Sequence, residues 1–345
     1  MKFVVYREKN VNINKYTVVF KPLLFIVNPS FQNICLKVRF MSTANKKTSL
    51  LRKVSKGLTV SSVITGSTFL HGPPVLALGL TKLFKKSAKV DETNIQLANS
   101  WIGVNNQLIE KVLPNLKWDI TIDEKLDLNL QGRYMMICNH QSWVDTTVNQ
   151  YFGLNRMPLT RFFTKWELIF IPFVGQAFKI LGFPMMKRHT KEQIAKNPEL
   201  KHRDLLEARK ACEQLLSQPF TLLNYLEGTR FTPEKHAQQQ SPYKNLLKPK
   251  AGGLALALNI LGDKIDALVD MTIVYPEGAP GYGDFWLGDV SSIAVDLRKI
   301  EIPDWVLGGN YEDDAVYRER FQKWVDQIWT EKDQLISQLK SRYNS

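Results

Sequence analysis

The sequence predicts an α/β fold. Short apolar runs alternate with period two or are apolar throughout, as strands do, and longer runs repeat their apolar residues at helical spacing. From about residue 92 the two kinds of run interleave, which is the pattern of an α/β domain. The chain has 345 residues, 44% hydrophobic and 23% charged, enough for a sizeable core in one or two domains.

The elements follow in chain order. Residues 1–40 are basic and apolar by turns, and VVFKPLLFIV at 18–27 is too short and interrupted to span a bilayer. No small-residue cleavage site follows it, so a secretory signal is not expected. Met41 opens a polar stretch that resembles a start, and residues 1–56 read as a basic N-terminal extension. Residues 57–84 are the first long apolar segment. Lys53 and Lys56 precede it, Lys82, Lys85, Lys86 and Lys89 close it, and Pro73–Pro74 divide it. Neither half comfortably reaches the ~20 apolar residues of a spanning helix. Positive charge on both flanks favours both ends on the cytoplasmic side. We therefore expect a membrane-associated helical hairpin over 57–90, re-entrant or interfacial; a pair of core helices broken at the prolines is the plainer alternative.

Residues 91–345 read as one globular domain. ETNIQLANSWIGVNNQLIEKVL is a helix, KWDITIDEKLDL alternates like a strand, and RYMMICNH is a strand entering a turn. Residues 160–188 are apolar, aromatic and basic. A helix follows at 203–217, a buried strand at 220–227, a helix after the pair Gly252–Gly253 and a strand through IDALVDMTIVYPEG. Residues 311–340 form a long helix with Phe321, Trp324, Val325, Ile328, Leu335 and Leu339 at core-facing spacing.

The net charge of +13 suits a polyanionic partner. Without a metal–carboxylate cluster or a known binding module in the sequence, nucleic acid is not the expected one. Cys35, Cys138 and Cys212 are scattered, which argues against disulfides or a zinc site, and no HExxH pairing occurs.

Three motifs carry chemistry. In NHQSWVD an apolar strand delivers His140 to its carboxyl end, where α/β sheets bind ligands. Asp145 follows five residues on. In one continuous helix the two side chains would stand about 140° apart, so they meet only if the chain turns at Gln141–Ser142, with Ser142 as a possible N-cap. The carboxylate would then fix the imidazole tautomer and leave the other nitrogen as a base. In LEGTRF a strand ends at Glu227, a turn at Gly228 would expose backbone N–H groups, and Arg230 offers a donor fork suited to phosphate. GFPMMKR, residues 182–188, ends in Lys187–Arg188, a weaker candidate for a phosphate or carrier contact. Each motif alone has an ordinary reading as a turn or a solvated charge.

Together and in this order they resemble the glycerolipid acyltransferase family, which includes lysophosphatidic acid acyltransferases. His140 and Asp145 match its His-x4-Asp, Arg188 its second block, Glu227–Gly228–Thr229–Arg230 its third and TIVYP at 272–276 its fourth. NHQSWVD, YLEGTRFTPEK and LKPKAGG look like a bacterial, membrane-bound branch. Many members start the fourth block with proline, where Asp270 or Met271 stands here. The resemblance implies a mixed sheet flanked by helices, with residues 91–345 as the catalytic domain. It implies transfer of an acyl group from acyl-CoA or acyl carrier protein to the hydroxyl of a lysophospholipid, most simply lysophosphatidic acid. His140 would be the base, Asp145 its orienting carboxylate, and Arg188, Glu227, Gly228, Thr229 and Arg230 the acceptor site. No metal or further cofactor is implied. The expected location is a bacterial inner membrane, with the site facing the cytoplasm. A lipid or thioester hydrolase is the alternative, but no GxSxG elbow is present and water would have to replace the acceptor. Cys138 reads as a buried thiol rather than a nucleophile.

Overall fold

The computed structural model describes residues 44–344 except 83, 85, 86, 187–190 and 198. The expectations for residues 1–40 and for Arg188 lie outside the described residues. The chain opens with helices α1 (Ala44–Thr81) and α2 (Ala88–Val112), followed by strands β1 (Lys117–Ile122) and β2 (Arg133–Cys138) and helix α3 (Val144–Gly153). Short elements come next: β3 (Thr160–Phe162), β4 (Thr164–Lys165), α4 (Val174–Ile180), β5 (Met185–Met186) and α5 (Lys191–Lys196). Then come α6 (Glu199–Leu215), β6 (Phe220–Tyr225), α7 (Pro233–Gln239), α8 (Gly252–Leu261), β7 (Ala267–Val274), α9 (Tyr282–Leu287), β8 (Ser292–Ile300) and α10 (Ala315–Asn344).

Six strands form one sheet in the order β1-β8-β7-β2-β6-β3. The sheet is mixed, as the resemblance implies. β2, β3, β6 and β7 run parallel, and the β1–β8 pair joins them antiparallel through β7–β8. Strand alternation on β2 sends Met135 and Ile137 into one core layer, with residues of α6, α8 and α10. Tyr134, Met136 and Cys138 enter the other, with residues of α1, α2, α3 and α9. Helices on both faces explain why all eight residues of β7 are buried and why it reads as a nearly continuous apolar run. β8, whose Ile293, Val295 and Leu297 alternate with Ala294 and Asp296, is a strand that the sequence reading left unassigned.

The apolar segment differs from expectation. Pro73 and Pro74 do not divide it: they lie inside α1, which runs unbroken for 38 residues. The chain reverses after Thr81 instead, and α1 packs on α2. A proline inside a helix costs about 3 kcal/mol or more through a lost hydrogen bond and a ring clash. Tertiary contacts at that point offset the cost. The His71 ring bonds the Ser67 carbonyl at 2.9 Å and the Ser100 hydroxyl at 3.1 Å, and it stacks on Trp101. Gly72 and Gly79 lie so close to Phe173 and Ile180 that a Cβ would collide with both. Near its start α1 is tied to the end of α9 and the segment after it by Lys53 on Asp289 and Lys56 on the Leu287 carbonyl.

Candidate active site

The chain leaves β2 at Asn139, turns through residues 140–143 and enters α3 at Val144. This turn brings His140 and Asp145 together: Nδ1 of His140 lies 2.8 Å from Oδ2 of Asp145. The same oxygen accepts the backbone N–H groups of Gln141 at 2.7 Å and Ser142 at 3.0 Å. Oδ1 accepts the Tyr275 hydroxyl at 2.6 Å. Asp145 is fully buried, and every one of these bonds is a donor aimed at it. An ionised carboxylate is acceptor-only, so Nδ1 carries the proton in this pair and Nε2 is left with its lone pair. The His140 side chain is 16% exposed. Its ring stacks on Tyr225 at 4.1 Å. Ser142 takes part in starting the helix: its hydroxyl accepts the Val144 N–H at 3.0 Å and donates to the Pro280 carbonyl at 2.6 Å.

The third motif arrives from the neighbouring strand. Glu227 follows β6, is wholly buried, and bridges two loops. Oε1 accepts the His140 backbone N–H at 2.8 Å and Oε2 the Leu247 N–H at 3.0 Å. Burial pushes its carboxyl up to about 8, against the two backbone donors, which hold it down. Phe231 N–H returns to the His140 carbonyl at 2.7 Å, so the turn 227–231 is laced to His140 at both ends. Glu227 thus orders His140 and the 247 loop, whereas the resemblance implies a place for it in the acceptor site. The Gly228 N–H, expected to face a ligand, instead closes the turn onto the Tyr225 carbonyl at 2.9 Å. Gly228 has φ +65°, a left-handed conformation that costs glycine little. Thr229 accepts a hydrogen bond from Lys235 Nζ at 2.7 Å. Half-buried Arg230 sits with its guanidinium 4.2 Å above the Trp143 ring. Burial pushes that guanidinium down, and the Asp145 charge opposes the shift.

The structure therefore brings together His140, Asp145, Glu227, Gly228, Thr229 and Arg230. Tyr275, Trp143, Tyr225, Lys235 and Lys250 join them without having been singled out from sequence. Tyr275 was within reach, because it belongs to TIVYP, the fourth block. Cys138 is buried beneath the site and burial pushes its thiol well up, the opposite of what activates a nucleophile. Asn139 is a clamp: its side chain donates to the Ile273 carbonyl at 2.8 Å and accepts the Ile273 N–H at 2.9 Å.

Comparison with known proteins gives the following matches. Residues 119–278 match the family model described as Acyltransferase, a window that holds His140, Asp145, the 227–230 turn and TIVYP. The 2-acyl-1-lysophosphatidylinositol acyltransferase of Saccharomyces cerevisiae is 24% identical over 257 residues, covering 62% of this chain and 63% of the yeast protein. Lysocardiolipin acyltransferase 1 of Gallus gallus is 22% identical over 283 residues, covering 79% of this chain and 68% of the chicken protein. The chain thus spans a little under two thirds of the yeast relative and slightly more of the chicken one. The crystal structure of the 1-acyl-sn-glycerophosphate acyltransferase PlsC from Thermotoga maritima superposes with a TM-score of 0.48 at 16% identity, covering 85% of this chain and 98% of that one.

Proposed function

We propose that this chain, whose residues 119–278 match the Acyltransferase family model, is a glycerolipid acyltransferase that moves a fatty acyl group from a thioester to the free hydroxyl of an anionic lysophospholipid. The observation that carries the reading is the His140 Nδ1–Asp145 Oδ2 contact of 2.8 Å beside the 227–230 turn. The acceptor hydroxyl oxygen attacks the thioester carbonyl as Nε2 of His140 takes its proton. Asp145 stabilises the imidazolium that forms. The tetrahedral intermediate collapses, the C–S bond breaks, and the imidazolium returns the proton to the departing thiolate. One ester forms, one thioester is lost, and no acyl-enzyme intervenes. Arg230 stands where it can hold the acceptor's phosphate, so that binding energy positions the hydroxyl. Arg188 fills the second phosphate contact in the family pattern.

The names of the yeast and chicken relatives specify lysophosphatidylinositol and lysocardiolipin, both anionic lysophospholipids. Lysophosphatidic acid is the simplest acceptor of that class and the first to test, with acyl-CoA and acyl carrier protein as donors. Membrane association follows from α1. Lys53–Thr81 is long and apolar enough to cross a bilayer by length and composition. Yet the helix is fastened along one side to α2, α4 and α9, while Leu58, Phe69, Leu70 and Leu80 are exposed. A helix fixed in this way lies on the membrane with its free apolar face in the interface. The basic residues on both flanks of the apolar segment, Lys53 and Lys56 before it and Lys82 and Lys89 after it, favour the cytoplasmic side, at a bacterial inner membrane.

The deciding experiment incubates purified protein with acyl-CoA or acyl carrier protein and a panel of lysophospholipids, reading free thiol and product lipid mass together. Acceptor-dependent thiol release with a matching diacyl product supports the reading. Thiol release without any acceptor and with free fatty acid as the product would make the protein a thioester hydrolase.

A further inference from the structure

The turn after β6 gathers more positive charge than its phosphate-binding arginine alone. Three cations surround it: Arg230 over Trp143, Lys235 from α7, and Lys250 from the segment before α8. Lys235 is committed to the protein. Its Nζ bonds the Thr229 hydroxyl at 2.7 Å and the Arg230 carbonyl at 3.0 Å, bracing the turn from behind. Lys250 is not committed in this way. Its backbone N–H is fixed on the Leu226 carbonyl at 2.7 Å, and its exposed side chain lies across Gly228. A Cβ on Gly228 would stand 3.2 Å from both Cδ and Nζ of Lys250, so the glycine leaves the space that this side chain occupies.

Among the described residues no carboxylate forms an ion pair with Arg230, Lys235 or Lys250. Of the acids nearby, Glu227 has both oxygens turned inward onto backbone N–H groups, Asp145 is buried and committed to His140 and Tyr275, and Glu234, next to Lys235 in sequence, is exposed to solvent. Cations drawn together cost free energy unless an anion joins them. The same turn is hydrogen-bonded at both ends to His140, so an anion held there has its neighbouring hydroxyl beside the base.

The geometry points to Lys250 as a second headgroup-binding residue, which together with Arg230 grips the phosphate of the acceptor across Gly228 and makes the enzyme select acceptors by negative charge. This rests on the acyl-transfer reading above for the identity of the acceptor. A phosphate ester could also come from the nucleotide end of a CoA thioester. The proposal commits to the acceptor, because the cradle is built on the turn tied to the base.

The test measures equilibrium binding, without turnover, of short-chain lysophosphatidic acid, lysophosphatidylcholine and CoA below their aggregation limits. The proteins are the wild type, Lys250→Met, Lys250→Arg, and Lys264→Met. Lys264 is an exposed lysine beyond the far end of α8 and controls for the loss of one charge. We expect Lys250→Met to weaken lysophosphatidic acid by about tenfold, as loss of a charged hydrogen bond does. Lysophosphatidylcholine should change less than twofold, Lys250→Arg should restore most of the loss, and Lys264→Met should match the wild type. Equal weakening of both lipids, equal loss in Lys264→Met, or a loss confined to CoA would each overturn the proposal. Acyl transfer is assayed on the same wild-type preparation. Failure to transfer to any lysophospholipid refutes the acyl-transfer reading, whereas the binding ratios judge the cradle separately.

Discussion

Replacing Asp145 with asparagine separates charge from geometry at this site. The buried Asp145 carboxylate accepts three donors on Oδ2 and one on Oδ1. An asparagine carbonyl placed at the Oδ2 position still accepts from His140 Nδ1 and from the backbone of Gln141 and Ser142. Its amide nitrogen then faces Tyr275, whose hydroxyl can rotate to accept. Turn, tautomer and packing survive, and what disappears is the negative charge beside the imidazolium. Two unit charges about 4 Å apart attract by ~4 kcal/mol at an effective dielectric constant of 20. Because each 1.36 kcal/mol is tenfold in rate, kcat should fall by about 10³. The change of donors on one oxygen should cost stability only about 1 kcal/mol. The assay follows thiol release at saturating acceptor and melting temperature on the same preparation. Native melting with turnover within tenfold of wild type would show that the ion pair is not used in the transition state. A large loss of melting temperature with normal turnover per folded molecule would reduce Asp145 to a turn-former.

Other expectations follow from the same geometry. His140→Ala should lower turnover by 10²–10⁴-fold, as an order of magnitude, with melting nearly unchanged; retained activity in a folded variant rejects it as the base. Arg230→Ala should raise the acceptor KM by about tenfold or more while moving the thioester KM far less, and equal rises would place Arg230 elsewhere. Glu227 is buried with its carboxyl raised to about 8 from an ordinary 4.5, so the folded state holds the proton more tightly than the unfolded chain. Its stability contribution is full below pH 4.5 and lost as pH rises through 8, by up to about 1.4 kcal/mol per pH unit. Denaturant titrations of wild type and Glu227→Gln should diverge over that window, and parallel curves refute the assignment. Lys332 of α10 is fully buried, with Nζ 2.6 Å from Asp270 Oδ1, 2.7 Å from the Met271 carbonyl and 2.9 Å from the Thr272 hydroxyl. Lys332→Met should destabilise the fold by about 3 kcal/mol in denaturant melts, because it leaves Asp270 with Arg298 alone; a loss under 1 kcal/mol would show that Arg298 suffices.

Most of the longer strands and helices were legible because periodicity is a local property, whereas β8 and the short elements between Thr160 and Met186 were not read. The His140–Asp145 contact was legible for a stereochemical reason: five residues cannot bring two side chains together on one helix, so a turn had to intervene. What local sequence could not show were bonds closed over long separations. Tyr275 reaches Asp145 across 130 residues and Glu227 reaches His140 across 87; their motifs mark both residues but not the partner that each takes. Pro73–Pro74 misled for the complementary reason. Local propensity breaks a helix there, but packing against Phe173 and the bonds of His71 keep it whole. The Gly228 N–H was misjudged because a turn uses its own donors before it offers them to a ligand. Lys235 and Lys250 were hidden in a chain with 46 basic residues, where only position distinguishes a lysine beside the site from a solvated one.

Strand register explains why motifs so far apart form one site. β2 is flanked by β6 and β7, and the last residue of β2, Cys138, pairs with Tyr225 on one side and Met271 on the other. The residues just beyond the strand ends are therefore neighbours: Asn139–His140 in the centre, Leu226–Glu227 on one side, and the segment reaching Tyr275 on the other. Glu227 fixes the His140 backbone from the β6 side. Asn139 and Tyr275 fix the turn and Asp145 from the β7 side. His140 is thus clamped from both neighbouring strands, with β2 in the interior of the sheet. A slip of one residue in either pairing would send Glu227 or Tyr275 to the opposite face and undo the clamp. The buried Lys332–Asp270 pair acts on this same register. It ties α10 to β7 at Asp270, opposite Ile137 and three residues before Ile273, which the Asn139 side chain grips. Stability at the centre of the sheet and precision at the base are therefore one requirement, met by the same strands.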